Sequence, residues 1–179
     1  MLYAGIALCI LLLSLERLSY IGVSRYPDAW RARCGRWPLN RLADDPVVVV
    51  RRLFLAFKTV QVGVFLAWCM IAAHTLVPLP TAPLLAAIIG LAIIAAGQWL
   101  NALVFRQLGP RAVFFGSELG DEGRYITGFP FSLIPHPQYA GAVLSVWGFF
   151  LVMRYPNPDW MVLPLIETAL YIVGARLEA

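Results

Sequence analysis

The sequence predicts an all-α integral membrane fold with about five transmembrane helices. Two observations carry this. Of 179 residues, 60% are hydrophobic and 13% charged, against roughly half and a quarter in soluble domains. The apolar residues also come in blocks, where a soluble core would scatter them with helical or strand periodicity. Net charge is +4, from thirteen arginines and one lysine against ten carboxylates. The positives concentrate beside the apolar blocks, the habit of membrane loops, and no RNA- or DNA-binding motif accompanies them. Nucleic acid is therefore not an expected partner, and the bilayer is. Cys9, Cys34 and Cys69 fall in separate segments. With two histidines they make no metal spacing, and they read as small buried hydrophobes.

A hydrocarbon core needs about 20 apolar residues per helix. The first span runs from Met1 to about Ser14, extending toward Val23. It lacks a basic leader and a small-residue cleavage site, so it reads as a retained span. The second runs from about Thr59 to Val77, preceded by Arg51, Arg52 and Lys58. The third covers about Pro83–Phe105, the fourth Pro137–Met153 and the fifth Trp160–Ala175. Arg154-Tyr-Pro-Asn-Pro-Asp159 has the content of a tight turn, so the last two spans form an antiparallel hairpin. Four spans, with the first helix lying in the interface, is the alternative.

Charge sets the expected orientation. Nine basic residues from Arg17 to Lys58, then Arg106, Arg111 and Arg124, then Arg176, all fall on one side of a five-span chain. Only Arg154 faces the other. The amino terminus is then outside and the carboxyl terminus cytoplasmic. The first basic loop also carries Tyr20, Tyr26, Trp30 and Trp37. It is either a topology determinant or a segment docking on anionic headgroups.

Two regions stand out for chemistry. Gln107 to His136 is a long stretch with few helix or strand signals, and it holds Phe114, Phe115, Tyr125, Phe129 and Phe131. Long loops in compact proteins are usually functional, and the aromatics argue against disorder. Leu119–Gly123 reads as its exposed turn. The second region is the start of span four. Pro137 suits a first helical turn, with His136 at the cap and Tyr139 and Gly141 just inside. Free N–H groups there favour an anion, and Gly141 would let a flat ligand approach the backbone. Equally, these residues only set a helix start at the interface. Glu167, inside span five, would pair with a cationic headgroup or a residue of span two, or make a structural hydrogen bond while neutral.

Gly128-Phe-Pro-Phe-Ser-Leu-Ile followed by His136-Pro-Gln-Tyr-Ala-Gly141 resembles the C-terminal core of the membrane-embedded phospholipid methyltransferases. That family includes phosphatidylethanolamine N-methyltransferases and is related to the isoprenylcysteine carboxyl methyltransferases. The likeness reaches from about Leu84 to the end, within one membrane unit of residues 1–179. It implies S-adenosylmethionine as cofactor, held in a cytoplasmic-face pocket, and a membrane phospholipid as substrate. Cofactor contacts are then expected from Gly90, Phe129, Pro130, His136, Pro137, Tyr139, Gly141 and Glu178. Phe115, Phe131 and Glu167 would line the lipid or methyl pocket. His136 would serve as base or proton relay, or only bond the cofactor, while Tyr139 positions cofactor or headgroup. The family's Gly-x-Gly reads Gly90-Leu91-Ala92 here, and its glutamate pair reads Glu178-Ala179. A carboxyl methyltransferase of a prenylated cysteine or other lipophilic acid is the alternative enzyme. A degenerate scaffold of the same fold is the non-enzyme alternative.

Overall fold

The computed structural model describes residues 2–122 and 126–178, with backbone only for Leu2 and Glu178. Among these, regular structure is entirely helical: α1 Leu2–Arg25, α2 Pro27–Cys34, a 3-10 turn at Leu39–Arg41, α3 Pro46–Ala73, α4 Leu84–Val113, α5 Pro137–Met153 and α6 Val162–Glu178. Helices α1, α3 and α4 are long and apolar enough to cross a membrane. Helices α5 and α6 have 17 residues each, about 26 Å of rise.

The expected second span begins too late, because α3 starts at Pro46. Asp45 accepts a hydrogen bond from Val47 N at 2.9 Å and Pro46 occupies the first turn, a strong start signal. Arg51, Arg52 and Lys58 therefore lie within the helix rather than before it. At 28 residues α3 is about 42 Å long, longer than the ~30 Å hydrocarbon core. His74, at φ 54°, closes it in the left-handed conformation. Helix α4 also runs on past Phe105 to Val113, turning at Gly109 (φ 79°) ahead of Pro110. The start of the expected loop is thus helical. Pro137 opens α5 with His136 at the cap, as the sequence predicts.

The α5–α6 turn is built on a buried ion pair. Arg154 donates to both carboxylate oxygens of Asp159, at 2.9 and 2.6 Å, and Trp68 Nε1 donates to the same group at 3.0 Å. Burial alone would raise the Asp159 pKa, but these donors outweigh it and hold it below the usual carboxylate range.

Helix α1 packs against α3 and α6, and α5 against α4 and α6. Helices α3 and α4, neighbours in sequence, scarcely touch along their backbones. Leu13, Phe65, Trp68, Val146, Phe150 and Leu163 form the central core. A second cluster of Tyr20, Val23, Val47, Val50 and Phe114 sits toward the basic end. There the C-terminal ends of α1, α4 and α6 meet the N-terminal ends of α3 and α5. Arg25 Nε donates to Leu177 O at 3.2 Å, Arg31 Nη2 to Glu118 O at 3.0 Å, and Arg111 Nη1 to Asp45 at 2.5 Å.

Helices α4 and α5 run antiparallel with their backbones pressed together at four glycines. A methyl group added to Gly97 would lie 2.5 Å from Gly141 O, and one added to Gly148 would lie 2.5 Å from Gly90 O. Lipid offers no hydrophobic force between helices, so close backbone approach through small residues supplies the packing.

Candidate functional site

Two neighbouring cavities lie toward the basic end. The first, of about 180 Å³, lies at the rim under the segment after α4. Phe114, Phe115 and Phe131 wall it, with Glu118, His136 and Pro137 around its edge. Phe115 is held at φ 61°, a strained conformation for a bulky residue, and its ring tilts onto Tyr20 at 5.5 Å. His136 is exposed and stacks 5.8 Å from Tyr139.

The second cavity, of about 590 Å³, lies deeper, between α3, α4 and α5. Phe54, Phe65, Phe105 and Phe149 line much of it. Tyr20, Gln138 and Tyr139 border both cavities. The floor is polar. Lys58 Nζ donates to Glu16 at 3.0 Å, Gln61 Oε1 at 3.0 Å and the Tyr171 hydroxyl at 3.1 Å. Arg17 Nη2 donates to Glu16 at 2.9 Å. The Arg17 guanidinium lies over three rings, 4.0 Å from Tyr171, 4.8 Å from Tyr139 and 5.3 Å from Tyr20. Cation–π contact of this kind steadies a charge that water does not reach.

This floor corrects the charge reading. Arg17 and Lys58, assigned to the first basic loop, lie inside α1 and α3. Tyr20, assigned to the same loop, is buried in α1. None was expected at the site, nor were Glu16, Gln61, Asn101, Glu118, Gln138 or Tyr171. The one usable signal was ionisable residues within apolar runs, which marks functional positions in membrane helices.

The expected site residues divide. His136, Pro137, Tyr139, Phe115 and Phe131 come together around the rim cavity. Phe115 and Phe131 thus sit apart from the inner cavity. Gly90 and Gly141 do not serve as open backbone. A methyl group on Gly90 would meet Val152 at 2.7 Å, and one on Gly141 would meet Asn101 and Gly97 O at 2.6 Å. Helix packing fills the space that a ligand would need, and Gly90 borders neither cavity. Phe129 borders neither cavity and lies tilted against Trp99 at 5.9 Å, while Pro130 is buried beside it. Glu167 is buried and accepts from Gln61 Nε2 at 2.6 Å, so its partner is on α3, the second expected span. The Glu178 side chain, Gly123, Arg124 and Tyr125 lie outside the described residues.

The model of the phospholipid methyltransferase family matches residues 85–179, more than half of the chain. The chain belongs to the phospholipid methyltransferase family. Within that family it is similar to a curated protein of Arabidopsis thaliana, phosphatidyl-N-methylethanolamine N-methyltransferase. The two are 29% identical over 119 residues, which is 66% of this chain and 62% of the relative. The chain therefore spans less than two thirds of the relative's length. No solved structure matches it. The family match takes in α4, the rim segment, α5 and α6. Arg17 and Lys58 of the cavity floor lie ahead of it.

Proposed function

We propose that this chain is an S-adenosylmethionine-dependent N-methyltransferase acting on the ethanolamine headgroup of a membrane phospholipid. One observation carries the reading. A rim cavity and an inner apolar cavity lie side by side and share Tyr20, Gln138 and Tyr139 in their walls. A polar donor and an amphiphile could enter from different directions and meet there. Family membership supports the reaction class.

The residues present suit this cofactor in kind. Flat aromatic walls at Phe114, Phe115 and Phe131 match an adenine, and the Glu118 carboxylate matches hydroxyl or ammonium donors. The rim cavity alone is small, while the inner one lies within the ~300–1,000 Å³ typical of ligand sites. When bound, the cofactor supplies an electrophilic methyl group. The chain's part is to bring an amine lone pair in line with it. That amine must be unprotonated, and the His136 imidazole at the rim is the group that takes up its proton. Tyr139, stacked on His136 and under Arg17, orients the headgroup. Phe65, Phe105 and Phe149 keep water from the inner side. The basic end faces the cytoplasm, and α5 and α6 complete five spans.

The test is transfer of labelled methyl from S-adenosylmethionine to phosphatidylethanolamine by protein in nanodiscs. His136→Ala should lower turnover by roughly 10²- to 10⁴-fold, and unchanged turnover removes the imidazole from the mechanism. Absence of saturable donor binding by calorimetry would favour the scaffold reading. The cationic floor at Arg17 and Lys58 also suits a lipophilic carboxylic acid, and a substrate panel separates that reaction.

A further inference from the structure

We infer that the inner cavity seats a phosphodiester lipid headgroup, admitted sideways between α3 and α4, with Arg17 binding its phosphate. This rests on the proposed activity and adds the residues and the route. The Arg17 side chain is 5% exposed. Its Nη1 has no hydrogen-bond partner among the described residues. A buried guanidinium nitrogen without an acceptor is costly, and an anion in the cavity that Arg17 lines would relieve it. The guanidinium is already fixed by Glu16 on one side and three tyrosine rings around it. It therefore loses little freedom on binding.

Charge points the same way. The charged side chains lining this cavity are Glu16, Arg17 and Lys58, with buried Glu167 behind Gln61. Lys58 already has three acceptors, and Arg17 Nη1 is the cationic donor here without an acceptor among the described residues. Tyr20, another residue lining this cavity, has a hydroxyl that also lacks a partner among the described residues. A hydroxyl can donate to a phosphate. The set complements a phosphate. Tyr139, under the guanidinium, borders the rim cavity, so an amine beyond the phosphate points toward the methyl donor's side.

The route follows from the packing. Helices α3 and α4 scarcely touch, and the inner cavity reaches the surface between them. Val62, Gln98 and Ala102 both line it and are exposed. Val62 is a large exposed apolar side chain at this opening. Phe65 and Phe149 inside would contact acyl chains, which commits the occupant to a lipid rather than a free phosphate.

Native mass spectrometry of the full chain in detergent micelles tests this with three probes. They are phosphatidylethanolamine, a long-chain alkyl ethanolamine without phosphate, and inorganic phosphate. Arg17→Met should weaken phosphatidylethanolamine retention roughly tenfold or more, and Arg17→Lys should recover part of it. The phosphate-free amphiphile should bind wild type and Arg17→Met alike. Val62→Trp, at the exposed side of the cavity, should slow phospholipid exchange.

Equal loss of both amphiphiles in Arg17→Met would mark a structural arginine and overturn the proposal. So would competition by inorganic phosphate as strong as that by the lipid, or weakened S-adenosylmethionine binding with lipid retention unchanged. Unchanged exchange in Val62→Trp would overturn the route. The two proposals fail separately. Arg17-dependent capture by a protein that transfers no methyl group overturns the activity and leaves this site. Turnover with a phospholipid KM indifferent to Arg17→Met does the reverse.

Discussion

The four glycines between α4 and α5 give the sharpest quantitative expectation. An alanine at Gly97 brings its methyl to 2.5 Å from Gly141 O, 2.6 Å from Ser145 Oγ and 3.0 Å from Ser145 N. An alanine at Gly148 meets Gly90 O at 2.5 Å and Ile94 N at 3.0 Å. Ordinary contact begins near 3.4 Å, so the helices must separate by almost an ångström. The obstacle is backbone, which cannot swing aside as a side chain would. Overpacking of this kind costs about 1–3 kcal/mol, or about 2–12 °C in melting temperature for a chain of this size. Gly63, in the middle of α3, has nothing within 4 Å of an added methyl. There alanine should be neutral or stabilising, because glycine is the poorer helix former. The assay is thermal unfolding in detergent of Gly97→Ala, Gly148→Ala and Gly63→Ala. Combining Gly90→Ala with Gly148→Ala should cost less than the sum, since one separation serves both. Melting temperatures for Gly97→Ala and Gly148→Ala equal to that of Gly63→Ala would refute the close approach of the two helices.

Asp159→Asn breaks the bridge to buried Arg154 and should cost near the lower end of the ~3–5 kcal/mol for such pairs, read from the same melts. Asp45, Asp121 and Asp159 all have lowered pKa values, the first two through hydrogen bonds from Arg111. Their stabilisation is present above the unfolded carboxylate value of about 3.9 and is lost as pH falls through the folded values. An acid titration of unfolding should therefore show a weaker pH response in Asp159→Asn than in wild type. Gln61→Leu strips a donor from buried Glu167 and should cost about 1–3 kcal/mol. Adding Glu167→Met should restore part of that, and no recovery would mean that the pair does not act as a unit. Glu118→Gln should weaken donor binding by roughly tenfold in calorimetry, and an unchanged affinity would put the cofactor elsewhere.

Local chemistry was readable along the chain. Pro137 marks the start of α5 and the proline- and asparagine-rich turn marks its hairpin with α6, because both signals act within a few residues. The rim half of the candidate site was legible for the same reason: Phe115, Phe131, His136 and Tyr139 lie close together in sequence. The start of α3 was obscured because Arg51, Arg52 and Lys58 interrupt its hydropathy, although Asp45-Pro46 marked it. The inner half could not be assembled from spacing. Lys58 meets Glu16 and Tyr171 across 42 and 113 positions, and each charge taken alone resembles a loop residue. A buried charge is tolerable only through its partners, and partners distant in the chain leave no local mark. The glycines teach the same lesson. Removing a side chain serves an approaching ligand and an approaching helix equally well. At Gly90 and Gly141 the folded neighbours, Gly148 with Val152 and Gly97 with Asn101, make the approaching group a helix.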